Sequence, residues 1–134
     1  HLALLDAGQW ENALHDALRR EGVRLWCDPE LVIGHKKHYS FGEYFSQRYL
    51  YARSYAGARV AGASAAKRLA MGAAAFALPP LLFARTVQRI LAKGAHTEKL
   101  WPSLPLIALF VLSWGWGEVV GYWFGAGDSL ARVK

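Results

Sequence analysis

Gln9–His38 reads QWENALHDALRREGVRLWCDPELVIGHKKH, and its two periodicities set the expected fold. Trp10, Ala13, Leu14, Ala17 and Leu18 recur at the i, i+3, i+4, i+7 spacing of one helical face. Arg19 and Arg20 suit a last helical turn and Gly22 suits a left-handed cap, so the helix should stop near Glu21. Beyond it Val23, Leu25 and Cys27 alternate with Arg24 and Trp26, and Leu31-Val32-Ile33 forms a second extended run. Alternation of this kind predicts short strands within about Val23–Ile33, broken at Asp28-Pro29. Glu11 then stands at the front of the unit and His35 at its end, an acid and a histidine at one edge of an α/β layer.

Upstream, the chain starts at His1 in the apolar run Leu2–Leu5, which predicts a fragment or a processed product. Downstream, Ser40 and Glu43 have capping-box spacing, and Tyr39 with Tyr44 has that of a hydrophobic staple. A helix is expected over about 40–68, with Gly57 and Gly62 as weak interruptions. At about 100° per residue, Tyr44, Arg48, Tyr51, Tyr55 and Arg59 share one side of it. Interleaved Arg and Tyr suit a phosphate, a lipid headgroup layer or a sugar ring. They equally suit a solvated basic face with packed tyrosines.

The chain is 54% hydrophobic and only 19% charged, unusual for a small soluble domain, and it points to a membrane. Two apolar runs carry that signal, 69–84 and 104–126. The first is short for a span and contains Pro79-Pro80, which predicts a kink. In the second, Trp114, Trp116 and Trp123 cluster towards one end, as in an interfacial aromatic belt. Glu118 is then either a paired intramembrane acid or a sign that the apolar core ends near Gly117. Four glycines (115, 117, 121 and 125) favour the second option, since they weaken a regular helix. Lys93–Ser103 reads as the connector. The net charge of +6 is concentrated beside the first run, with Arg53, Arg59, Lys67 and Arg68 before it, where anionic headgroups would meet them. No nucleic-acid-binding motif is present, so nucleic acid is not an expected partner. One cysteine, Cys27, excludes an intramolecular disulfide. Neither a glycine-rich phosphate loop nor a Ser or Cys nucleophile motif occurs.

The opening stretch also resembles the acceptor-side end of a family 2 glycosyltransferase, a GT-A fold enzyme that uses a nucleotide-activated sugar. The matching positions are Trp10-Glu11, Leu14, Leu18, Gly22, Pro29, Val32-Ile33 and His35. Trp10 stands where the family has its first acid, and Glu11 replaces the more usual Asp. SFGEYFSQRYLYARSYAGAR (40–59) and WGEVVGYWFGAGDSL (116–130) are similar to the C-terminal region of bacterial members.

The resemblance implies a mainly helical chain as given, with 1–68 the C-terminal remnant of an α/β GT-A domain and 69–134 a membrane-associated helical region. It makes Glu11 the general base for an acceptor hydroxyl and His35 a ligand to Mg²⁺ or Mn²⁺. Lys36, His38, Gln47 and Arg48 become candidates for contacting substrate. The Asp-x-Asp motif that would complete the metal site is absent, so the chain alone is expected to be inactive. The implied partners are membrane lipid, a nucleotide-sugar donor and a glycan or lipid acceptor. The implied location is the inner membrane with the catalytic part cytoplasmic. The competing expectation is a small non-catalytic membrane protein whose basic helix binds anionic lipid or a partner protein.

Overall fold

The computed structural model describes residues 11–28, 30–32, 34, 38–95 and 97–133, with side chains in the first helix from Leu14 onward. Five α-helices run in order among them: α1 (Glu11–Arg20), α2 (Phe41–Arg59), α3 (Ala65–Ala75), α4 (Leu78–Lys93) and α5 (Thr97–Phe124). A 3₁₀ turn, Leu130–Arg132, follows. Contacts divide the chain into two units, 1–38 and 39–134.

In the first unit, α1 ends as its sequence dictates. Gly22 adopts φ 79°, and its N–H donates to Arg19 O at 3.0 Å while Val23 N–H donates to Leu18 O at 3.0 Å. This is the paired closure of a glycine-capped helix. The strands expected over 23–33 do not appear among the described residues, which contain no strand at all. The expectation of an α/β GT-A remnant is therefore corrected: the described chain is helical. Alternating apolar residues make a strand only where a neighbouring backbone pairs with them and a core covers one face. Here Trp26 is 91% and Val32 87% exposed. The Asp28 carboxylate accepts from Glu30 N–H at 2.9 Å, and Asp28 O accepts from Leu31 N–H at 3.2 Å. Local turn chemistry at Asp28 takes the hydrogen bonds that a ladder would need.

The second unit begins with the predicted box. Ser40 Oγ accepts from Glu43 N–H, Glu43 Oε2 accepts from Ser40 N–H at 3.0 Å, and the Tyr39 and Tyr44 rings lie 6.0 Å apart. The single helix expected over 40–68 is two: α2 stops at Arg59, Gly62 turns the chain at φ 73°, and Ser64 caps α3. The kink expected at the proline pair is a 46° bend between α3 and α4. Both prolines sit in the first turn of α4, where their missing N–H groups have no helical partner to lose. α5 starts at Thr97, earlier than expected, with Pro102 and Pro105 within it, and continues through Gly115, Gly117 and Gly121 to Phe124, just before Gly125.

α5 is the axis of this unit. α2 runs parallel to it: Phe45 O accepts from Ser113 Oγ at 2.8 Å, and Gly117, Gly121 and Gly125 meet Tyr49, Arg53 and Gly57 in turn. The register advances four residues on both helices together. A Cβ on Gly117 would lie 2.9 Å from Ala52 Cβ, and one on Gly121 2.8 Å from Ala56 Cβ. The glycines are thus where the α2 backbone touches α5, which is why they do not end the helix. α3 and α4 run antiparallel along α5, with Trp123 against Gly72 and Pro79 against Gly115. Ala56, Val60, Ala75, Val119 and Tyr122 form the core at this junction.

Candidate functional site

The basic residues of α2 and α3 gather around the C-terminal end of α5. A helix end leaves its last carbonyls without amide partners. Arg68 Nε donates to Tyr122 O at 3.1 Å and its Nη2 to Trp123 O at 2.9 Å, while Arg53 Nε donates to Gly125 O at 3.3 Å. Two cations on the negative pole of a long helix also gain from its dipole. Arg59 Nη1 donates to the Tyr122 hydroxyl at 3.0 Å, and its guanidinium lies 5.5 Å from the Tyr55 ring centroid. These three arginines, expected to face headgroups, are therefore spent largely on the fold. Lys67 is exposed.

Glu118 is buried, and its Oε1 accepts from Trp114 Nε1 at 2.8 Å. The helix continues past Gly117, which the glycines were expected to weaken, and the acid is paired within it. Trp123 Nε1 donates to Leu69 O at 3.3 Å, and Trp116 is 56% exposed. Trp114 and Trp123 thus each donate within the fold, to Glu118 and to Leu69.

Arg48 differs from the other arginines. Its Nη2 donates to the Tyr44 hydroxyl, and the guanidinium sits 4.5 Å from the centre of that ring. Tyr44 in turn packs edge-on against Phe110, centroids 4.5 Å apart. Arg48 lines a groove of about 380 Å³ between α2, α4 and α5, together with Leu82, Thr86, Ile107, Val111 and Trp114. No protein-family model, curated protein or solved structure matches the chain.

The remaining expected site residues are dispersed. Glu11 opens α1, with its side chain outside the described atoms, and His35 and Lys36 lie outside the described residues. His38 is exposed at the end of the first unit, and Gln47 is buried in the second. Among the described residues no three His, Cys, Asp or Glu side chains converge to hold a metal. The Ser113/Gly117/Gly121/Gly125 repeat was the signal for the α2–α5 seam, in plain view as a four-residue period. The arginine caps had no such signal, since Arg53 and Gly125 are 72 residues apart.

α5 is long and apolar enough to cross a membrane. At 1.5 Å per residue, its 28 residues extend about 42 Å, against a bilayer core of ~30 Å. Only 33% of its most apolar stretch is buried within the protein. Leu69, Phe76, Leu81, Trp101, Leu109 and Leu112 are all exposed.

Proposed function

We propose that residues 39–134 are the membrane-embedded module of a bacterial family 2 glycosyltransferase, holding its catalytic part at the cytoplasmic face of the inner membrane. One observation carries this reading. The two segments that resemble the C-terminal region of such enzymes, 40–59 and 116–130, are the two sides of the glycine seam. Along this seam small residues make the helix contacts, while Leu109, Leu112 and Trp116 of α5 are left exposed. That inversion suits lipid, where burying Leu against Leu gains nothing over Leu against acyl chain.

In this reading Glu11 removes the proton of an acceptor hydroxyl. The oxygen bonds to the anomeric carbon as the sugar–diphosphate bond breaks and the nucleoside diphosphate leaves. The acceptor is a lipid-linked or polysaccharide hydroxyl.

The test uses membranes carrying the full-length protein. Sodium carbonate at high pH should fail to release it, and release would remove the membrane part of the proposal. Labelled uridine, guanosine and thymidine diphosphate sugars, each with Mn²⁺ or Mg²⁺, should give a labelled glycan or lipid. Glu11→Gln should lower kcat by about 10²–10⁴ with donor affinity nearly unchanged. Absence of transfer from every donor, or normal turnover in Glu11→Gln, would remove the catalytic part.

A further inference from the structure

We propose that the groove between α2, α4 and α5 seats one anionic phospholipid, its phosphate on Arg48 and one acyl chain along Leu82, Ile107, Phe110 and Val111. This rests on the membrane reading above and adds a defined lipid site to it.

Arg53, Arg59 and Arg68 each donate to α5, across the helix seam. Arg48 alone among these arginines bonds only within its own helix, to Tyr44, among the described residues. A guanidinium carries five N–H donors in a planar fork, so most of this one is left to face the groove. The fork is also held in place beforehand. Tyr44 lies under it, Phe110 braces Tyr44, and Phe41 stacks on Phe110 with centroids 5.9 Å apart. Little side-chain freedom remains to be lost when an anion arrives.

The rest of the lining fixes the class of ligand. No acidic side chain lines the groove, and the lining beyond Arg48 and the Thr86 hydroxyl is apolar or aromatic. Glu118, the nearest acid along α5, is turned to Trp114 Nε1 and keeps the indole as one wall. One cation at the side of an apolar trough complements an anion joined to a hydrocarbon chain. A free phosphate would leave the trough empty, and a neutral lipid would leave Arg48 unanswered. Basic pockets between membrane helices commonly take phospholipid headgroups. α2 begins level with Phe110, so the trough opens towards Ile107, and a chain can continue there along α5 into bilayer.

The experiment is native mass spectrometry of the full chain purified in detergent, titrated with dioleoylphosphatidylglycerol, with dioleoylglycerol, which has the same chains and no phosphate, or with inorganic phosphate. One phosphatidylglycerol should be retained, and dioleoylglycerol should bind at least about tenfold more weakly, as expected for loss of a charge-assisted contact. Arg48→Gln should weaken phosphatidylglycerol by a similar factor. Arg48→Lys should lie in between, because an ammonium keeps the charge but not the fork. Val111→Trp should block the chain with Arg48 intact, and Lys67→Gln should change nothing. Equal retention of both lipids overturns the proposal, as does displacement of lipid by millimolar phosphate. So does unchanged retention in Val111→Trp. If Arg48→Gln does not fold, Arg48→Lys and Val111→Trp decide. Because lipid capture is read in detergent and membrane residence by carbonate extraction, failure of one is distinct from failure of the other.

Discussion

Gly117→Ala tests the glycine seam midway between its Ser113 and Gly121 contacts. The added Cβ would lie 2.9 Å from Ala52 Cβ, and closer still to Tyr49 O. Carbon atoms rest at ~3.5–4.0 Å, so α2 and α5 must part by about 0.6 Å or more. Parting stretches the 2.8 Å Ser113–Phe45 hydrogen bond one turn earlier and loosens the Gly121–Arg53 contact one turn later. Overpacking of this kind typically costs ~1–3 kcal/mol. Ala also gains up to ~1 kcal/mol over Gly in intrinsic helix preference, which offsets part of the loss. A net destabilisation of about 1–2 kcal/mol follows, or roughly 5–15 °C in Tm for a unit of this size.

The assay is thermal unfolding in detergent, followed by intrinsic fluorescence and by loss of the monodisperse peak. Two controls sharpen it. Gly42 lies in the first turn of α2 with nothing within 4 Å of an added Cβ, so Gly42→Ala should be neutral or slightly stabilising. The double variant Gly117→Ala/Gly121→Ala should lose less than the sum of the singles, since one separation of the helices relieves both clashes. A Gly117→Ala protein as stable as the parent would refute the seam. Strict additivity would refute the idea that the helices move as rigid bodies.

Arg68→Ala should lower stability by about 2 kcal/mol, because two carbonyls at the end of α5 lose a charged donor. Hydrogen exchange should quicken locally at the end of α5, whereas Lys67→Ala should stay within ~0.5 kcal/mol. Trp114→Phe removes the indole donor to the buried Glu118 carboxylate and should cost about 1–3 kcal/mol. The Trp114→Phe/Glu118→Leu pair, which removes both partners, should recover much of that loss in melting experiments. Cys27 is exposed and is the only cysteine, so a membrane-impermeant maleimide should label it in inverted vesicles but not in intact cells. Labelling of intact cells would place the first unit on the opposite face.

Several elements could be read directly from the residues because their causes are local. The glycine stop of α1 and the Ser40–Glu43 box involve groups a few residues apart, so spacing alone identifies them. The bend near Pro79-Pro80 was likewise visible, since proline forbids a continuous ladder whatever surrounds it. The strands over 23–33 failed for the converse reason. Alternation describes what a strand would look like if a partner and a core were present, and neither is written in the segment itself. Glu118 and the glycines of α5 were misread on the same ground. A glycine weakens a helix in isolation, yet it is required where a second backbone passes within contact distance, and only the register with α2 reveals that. The arginines show the division most clearly. Sequence placed Arg48, Arg53, Arg59 and Arg68 together as one basic stretch beside an apolar run. The fold assigned three of them to groups on α5 and left Arg48 facing a groove, because hydrogen-bond partners 54 to 72 residues away are set by packing and not by neighbours in the chain.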